Sequence, residues 1–323
     1  MNILVPANDA HIANKYISLG ANELYFGFYD EKWIENFGKY SDINRMSGFG
    51  KRANKYSFNE LIELITHIKQ RNCRVFITMN ANVYSDAQLE FIRQNYLPKC
   101  RNAGVDGVIV SDINLAKLVL SFGIDVVAST MCAIYNSDIA KYFYDIGIKR
   151  MIIPRDLNLN EIESIIKCVP KVSFEAFFMR DGCVFSDCYC LGMHRPECGS
   201  TCSYIKNSEK KIVSIYKGFE AQNAIEMNDY FYNKEFHFEA CGMCALYRLN
   251  KIGIKSLKIV GRADDYESVC HDIDVTRRNI EIMNNSISEE DYLNKMIFPR
   301  KTTITCRMGM SCYYPEVRYG IDK

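Results

Sequence analysis

GVDGVIVSDINLAKLVLSFGIDVVAS, residues 104–129, holds one full repeat of the pattern that decides the fold. Gly104 precedes a short apolar run, Val108–Ser111. An amphipathic stretch follows and stops at Gly123, and a second apolar run, Val126–Ser129, comes at once. Short runs rich in β-branched residues are how strands buried on both faces read. Glycine accepts the left-handed conformation that closes a helix. The beat continues in both directions. Further apolar runs lie at Ile3–Pro6, Leu24–Phe28, Val75–Met79, Met151–Pro154, Val172–Phe178 and Leu257–Val260, and further helix stops at Gly20, Gly147 and Gly253. Leu61, Ile62, Leu64, Ile65 and Ile68 show the apolar stripe of an intervening helix. Eight such strands imply an α/β fold, a (β/α)8 TIM-like barrel. A doubly wound open sheet is the alternative, but no GxGxxG turn follows the first strand.

The chain has 323 residues, which suits one barrel of about 250 residues with insertions. We assign residues 1–285 to the barrel and residues 286–323 to a C-terminal tail carrying two cysteines. Two stretches break the beat. Tyr29–Tyr56 is long and polar and reads as a loop, and residues 180–240 form a cysteine-rich insertion after strand seven. Both follow strands, so both belong at the C-terminal face, where barrel active sites collect.

Lys and Arg number 40 against 39 Asp and Glu, a net charge of +1. No strong attraction to phosphate backbones follows, so a small-molecule or peptide substrate is expected ahead of RNA. Lys206, Lys210 and Lys211 form a local basic patch. The first twenty residues include Pro6, Asp9, His11 and Lys15 and lack the apolar core of a signal peptide. No apolar run reaches the length of about 18 residues that a membrane span needs. A cytoplasmic protein without membrane contact is expected. In a reducing cytosol, 14 cysteines do not form a disulfide framework, and clustered ones point to metal or redox chemistry.

The string CVFSDCYCLGMHRPECGSTC, residues 183–202, contains Cys183, Cys188, Cys190, Cys198 and Cys202. Four thiolates suit zinc and a 4Fe–4S cluster equally. The spacing is C-x6-C and C-x3-C rather than the C-x2-C pairs common in structural zinc sites, and Ile205 stands where a C-x3-C-x2-C motif would need its third cysteine. Spacing leaves the two metals open. Cys241 and Cys244, a C-x2-C at a helix start, could join Cys306 and Cys312 in a second site tying the tail to the barrel; a helix N-terminus favours the thiolate. His194 and His237, in the cysteine-bearing segment, read as structural.

Residues at strand ends point into a barrel's mouth. Asn80, Asp112, Thr130, Arg155, Arg180, Lys258 and Arg262 occupy such positions, and Asn80, Arg155, Arg180, Lys258 and Arg262 are the catalytic candidates. A lysine inside a strand is costly to bury unless paired. Guanidinium groups suit carboxylate or phosphate. No HExxH helix or GxSxG elbow supports hydrolysis.

Several segments carry a resemblance. ILVPANDAHIANKYISLGANELYFGF, VFITMNANVY, VIVSDINLAKLV, VVASTMCAIYNSDIA, IIPRDLNLNEI, FEAFFMRDGCVFSDCYC and GIKSLKIVGRADDYESV run in an order similar to that of the collagenase-like "U" peptidase family, which includes ubiquinone-biosynthesis and tRNA-hydroxylation proteins. The resemblance covers nearly the whole chain. It implies a 4Fe–4S cluster on Cys183, Cys190, Cys198 and Cys202, and oxygen-independent hydroxylation with prephenate as oxygen donor, its two carboxylates meeting arginines at the mouth. The acceptor it leaves open is a small molecule, a nucleobase or a peptide. It also leaves two alternatives: a peptidase-type hydrolase, and a non-catalytic iron–sulfur subunit of a heterodimer. The chain departs from the family at three places. Arg180 and Asp181 replace a Gly-Ala pair, Cys188 replaces a glycine, and Val260 replaces a glutamate.

Overall fold

In the computed structural model, eight parallel strands close into a barrel in chain order. The structure describes residues 1–183, 186–190, 240–262, 264–300, 306, 309 and 311–318. The strands are β1 (Asn2–Pro6), β2 (Glu23–Phe26), β3 (Arg74–Met79), β4 (Gly107–Val110), β5 (Asp125–Ala128), β6 (Arg150–Ile152), β7 (Ser173–Met179) and β8 (Ser256–Ile259). Ile3 faces Leu257 across the seam where β1 meets β8. The outer helices are α1 (Ala10–Leu19), α2 (Glu31–Phe37), α3 (Phe58–Lys69), α4 (Asp86–Asn95), α5 (Leu97–Asn102), α6 (Ile113–Ser121), α7 (Ser137–Asp145), α8 (Leu159–Cys168), α9 (Leu246–Ile252), α10 (Tyr266–Asn284) and α11 (Glu289–Lys295). The architecture is the (β/α)8 barrel that the strand–glycine rhythm implies.

Local chemistry sets the element ends. Ser57, Ser85 and Asn158 each open a helix with a reciprocal capping box, which satisfies backbone donors that the first turn leaves free. Gly20 closes α1 at φ 116°, a left-handed conformation that a β-carbon would strain.

Seven strands begin one residue before their apolar runs, among them β2, β3, β6 and β8 at Glu23, Arg74, Arg150 and Ser256. Hydropathy hides these starts because polar side chains fill the barrel's floor. Arg150 donates to Glu23 on β2, 2.7 Å from Oε1, to Glu175 on β7 and to Ser256 on β8 at 3.1 Å. β2 and β6 are not neighbours, so these bonds cross the interior. Both carboxylates are fully buried.

The Tyr29–Tyr56 stretch is more ordered than a bare loop. Asp30 caps α2, and the fully buried Trp33 packs against Phe91 of α4 at 5.8 Å between ring centres. Its Nε1 donates to the Ser41 carbonyl at 3.0 Å. Phe37 and Phe91 complete the aromatic contact and pin the segment across the mouth. The chain past β8 returns to the barrel as well. Tyr292 of α11 donates to the Met243 carbonyl at 2.8 Å, and Cys312 forms an isolated bridge with Cys241. No helix among the described residues is long and apolar enough to cross a membrane.

Candidate functional site at the barrel mouth

One carboxylate organises the upper mouth. Asp187 follows β7, and its side chain is wholly buried. It accepts from Arg155 at 2.9 and 3.3 Å, from Arg45 at 2.6 Å and from the Thr130 hydroxyl at 3.0 Å. Four separate segments thus meet at one group. Burial works to raise its pKa, but Arg155 and Arg45 outweigh burial and hold the carboxyl well below the usual range. Arg155 also stacks on Phe177 of β7, 4.1 Å from the ring centre. Asn80 connects the Tyr29–Tyr56 segment to β5: its Oδ1 accepts from the Arg45 amide at 3.1 Å and its Nδ2 donates to Ser129 at 3.3 Å.

Arg180 is committed elsewhere. It pairs with Asp264 at 2.9 Å and with Asp272 at 3.3 Å, away from Asp187. Arg180 and Asp181 both adopt positive φ, 66° and 45°, which costs non-glycine residues roughly 1–2 kcal/mol each. The ion pairs and a hydrogen bond from Tyr313 to the Arg180 carbonyl hold this turn. Asp112 is a helix cap, accepting from the Leu115 amide at 2.9 Å.

Lower in the mouth, two cations share one ring. The Lys258 ammonium lies 4.1 Å from the centre of Tyr25, and the Arg262 guanidinium 5.5 Å from it. The carboxylate beside Lys258 is Glu175, 3.8 Å away and already bound by Arg150. Burial pushes the Lys258 pKa down to about 8, with Glu175 pulling the other way. Arg262 donates to Asn54 Oδ1 and Thr78 Oγ1, both at 3.2 Å. Burial lowers its pKa too, with Tyr25 acting in the other direction.

The cysteines divide between described and undescribed residues. Cys183 and Cys190 flank Asp187 in sequence, both half-buried. Cys183 lies close enough to Arg155, and Cys190 to Arg45, for a thiolate there to meet a positive charge. Cys188 lies 3.8 Å from the Tyr135 hydroxyl. Cys198, Cys202, His194, His237, Lys206, Lys210 and Lys211 lie outside the described residues. Among the described residues, no three of His, Cys, Asp and Glu form a group able to hold a metal. Cys241, Cys244, Cys306 and Cys312 do come together: Cys244 and Cys312 lie close enough to Cys241, and Cys244 and Cys306 close enough to Cys312, for their charges to interact. Cys241 and Cys312 are also joined through backbone: the Cys241 amide donates to the Ser311 carbonyl at 3.1 Å and the Tyr313 amide to the Cys241 carbonyl at 3.0 Å. Burial raises the Cys241 thiol and pushes Cys312 up to about 12.

Several mouth residues carry no sequence motif. Asp187 is hidden among cysteines, and Arg45 and Asn54 lie in a segment without regular periodicity. Glu175 left a readable signal, a lone acid inside an apolar strand run. The Tyr29–Tyr56 segment carries another. Residues 39–55 hold five basic residues and one acidic one. Lys39, Lys51, Arg52 and Lys55 are exposed. Lys39 lies over Tyr40, Lys51 over Tyr29 and Arg52 over Phe49, at 4.7, 4.6 and 5.9 Å. The segment that carries these basic residues and rings is joined to Asp187 through Arg45.

The chain is similar to proteins that act on RNA. It is 25% identical to the 23S rRNA 5-hydroxycytidine C2501 synthase of Escherichia coli, over 99% of this chain and 46% of that protein. It is 24% identical to tRNA hydroxylation protein P of Helicobacter pylori, over 54% of this chain and 44% of that protein. A third relative, at 27% identity over 93% of this chain and 69% of its own length, is an uncharacterized protease of Methanocaldococcus jannaschii. The chain spans about half the length of the two RNA-hydroxylating relatives. These relatives overturn the expectation that a small molecule or peptide is favoured over RNA. Net charge misled because RNA responds to local charge, and the basic residues 39–55 are diluted in a balanced total. The model of peptidase family U32 matches residues 8–307, and the chain belongs to that family.

Proposed function

We propose that this chain is an iron–sulfur enzyme that hydroxylates, or similarly modifies, a base in RNA at the barrel mouth, with prephenate as oxygen donor. One observation carries the reading. Asp187 joins the cysteine-bearing segment to the basic, aromatic Tyr29–Tyr56 segment through Arg45 at 2.6 Å. A redox-capable centre and an RNA-facing surface would therefore share one rim.

Cys183, Cys190, Cys198 and Cys202 would hold the cluster. The donor set suits it in charge. Two guanidinium groups, of Arg45 and Arg155, surround the single carboxylate of Asp187, leaving positive charge beside Cys183 and Cys190. A cluster held by thiolates is anionic, and nearby charge tunes its potential. Bound there, the cluster would supply one-electron redox chemistry. The protein's own part is positioning. Asp187 fixes Arg155 and Arg45, Asn80 fixes the loop, and Lys39, Lys51 and Arg52 attract phosphates while neighbouring rings can stack on bases.

The test is genetic and chemical. rRNA and tRNA from cells with and without the gene are digested to nucleosides and compared by mass spectrometry. One nucleoside should lose the mass of an oxygen atom in the deletion strain and regain it on complementation. Identical nucleoside profiles would overturn the proposal.

A further inference from the structure

Four cysteines outside the string from Cys183 to Cys202 have no part in the proposed function. Cys241 and Cys244 lie just before α9, and Cys306 and Cys312 lie past α11. The fold nevertheless brings them to one place. Cys241 and Cys312 pair in an isolated parallel bridge. Cys244 lies within electrostatic reach of both, and Cys306 within reach of Cys312. Free cysteines are often small buried hydrophobes. That would explain one or two of these thiols, but not two pairs from distant segments that meet.

The backbone around them treats sulfur as an acceptor. Cys241 Sγ accepts from the amide two residues on, that of Met243, at 3.3 Å. Cys312 repeats the pattern, accepting from the Tyr314 amide, again two residues on. An amide aimed at sulfur favours thiolate over thiol. Gly242 permits the first turn, because a β-carbon there would fall 3.1 Å from the rings of Phe178 and Tyr314. Gly309 turns the chain between Cys306 and Cys312 at φ 77°, its amide donating to the Cys306 carbonyl at 3.0 Å. Arg300 adds positive charge near Cys241. Burial opposes all this and raises both thiols. Several thiolates here would need more positive charge than one arginine supplies. Other bonds already dock the tail: Tyr314 donates to the Phe177 carbonyl at 2.9 Å, and Glu316 accepts from the Leu159 amide at 2.8 Å.

We infer that Cys241, Cys244, Cys306 and Cys312 bind one zinc ion that ties the C-terminal tail to the barrel. Ligand type and spacing argue for zinc. C-x2-C, the spacing of Cys241 and Cys244, is the pair that structural zinc sites use, and four thiolates complete a tetrahedron with no open position. Zinc keeps its thiolates deprotonated, which offsets the burial penalty. As they stand, no three of these thiols form a group able to hold a metal. Each has a single side-chain torsion, so its sulfur moves between staggered positions while the backbone stays in place. The role is structural. Tyr313 and Tyr314 of the same tail donate to the Arg180 and Phe177 carbonyls at the end of β7, so a fixed tail steadies the exit of that strand. The site shares no ligand with the proposed cluster, and the inference does not rest on the proposed function.

Zinc and iron analysis of the full chain, purified without oxygen and incubated with zinc, tests it. The wild type should retain about one zinc per chain after desalting, with its affinity read by competition with a chelating dye. Losing a contact behind a metal ligand costs about 10- to 100-fold in affinity, and losing a ligand itself should cost more. Cys244→Ala and Cys306→Ala should therefore each weaken zinc binding by more than about a hundredfold and leave iron content unchanged. Cys168→Ala, at an exposed position on α8, should keep zinc. Residues 311–318 should lose hydrogen-exchange protection in the two zinc-free variants, while β1–β6 keep theirs. Cys306 is only half-buried, so its variant serves if Cys244→Ala fails to fold. The inference is overturned if the wild type retains no zinc or if both variants bind it as tightly as the wild type. It is also overturned if iron rather than zinc is lost from them, which would make the site a second cluster.

Discussion

Replacing Asp187 with asparagine keeps its shape and removes its charge. Arg45 and Arg155 would then face each other with no anion between them, at side-chain exposures of 14% and 8%. Breaking a buried ion pair from one side costs about 3–5 kcal/mol, or a roughly 150- to 5,000-fold change in an equilibrium constant. The loss should fall on residues 183–190, because the bonds from Arg45, Thr130 and Arg155 hold that segment to the barrel. Hydrogen exchange read by mass spectrometry should show these residues losing protection while β1–β6 keep theirs. Acid provides an internal check. Asp187 titrates below its unfolded value of 3.8, so its stabilisation is complete above that value and is lost as pH falls through the folded pKa. The wild type should lose its advantage over Asp187→Asn in that acid range. Unchanged protection in the variant, or a constant stability difference down through the acid range, would refute the claim that Asp187 anchors the cysteine segment.

Other outcomes follow from the same geometry. Cys183→Ala and Cys190→Ala should each abolish a stable cluster, whereas Cys188→Ala should leave iron content near about four per chain; iron and sulfide assays on anaerobic protein decide it. Lys258 is depressed from 10.5 to about 8, so its burial penalty should lift as pH rises from about 8 past 10.5. Wild type should therefore gain up to about 3 kcal/mol relative to Lys258→Met across that interval, and parallel stability curves would contradict it. A Lys51→Glu, Arg52→Glu double variant should bind RNA more weakly and with a shallower salt dependence, measured by filter binding at several salt concentrations; an unchanged slope would remove that loop from the interface.

The fold was legible because it rests on local rules. Strand runs and glycine stops at Gly20, Gly104, Gly123, Gly147 and Gly253 report backbone needs that each segment states for itself, and all five have positive φ. The interior polar floor was not legible. Glu23, Arg150 and Ser256 lie far apart in sequence and meet only when β2, β6 and β8 converge. For the same reason, three arginines that looked alike at strand ends have different surroundings. Arg155 serves Asp187, Arg180 serves Asp264 and Asp272, and Arg262 meets no carboxylate among the described residues. The likeness to relatives that act on RNA was obscured by composition, since a local basic run at 39–55 disappears in a net charge of +1.

The most direct test of the central claim is reconstitution. Protein prepared without oxygen is incubated with RNA from the deletion strain, with and without prephenate, and the nucleosides are weighed. The account expects one nucleoside to gain the mass of an oxygen atom only when prephenate and an intact cluster are present, and Cys183→Ala to form none. Equal product from the cluster-free variant, or no product from wild-type protein bearing its full complement of iron, would contradict it.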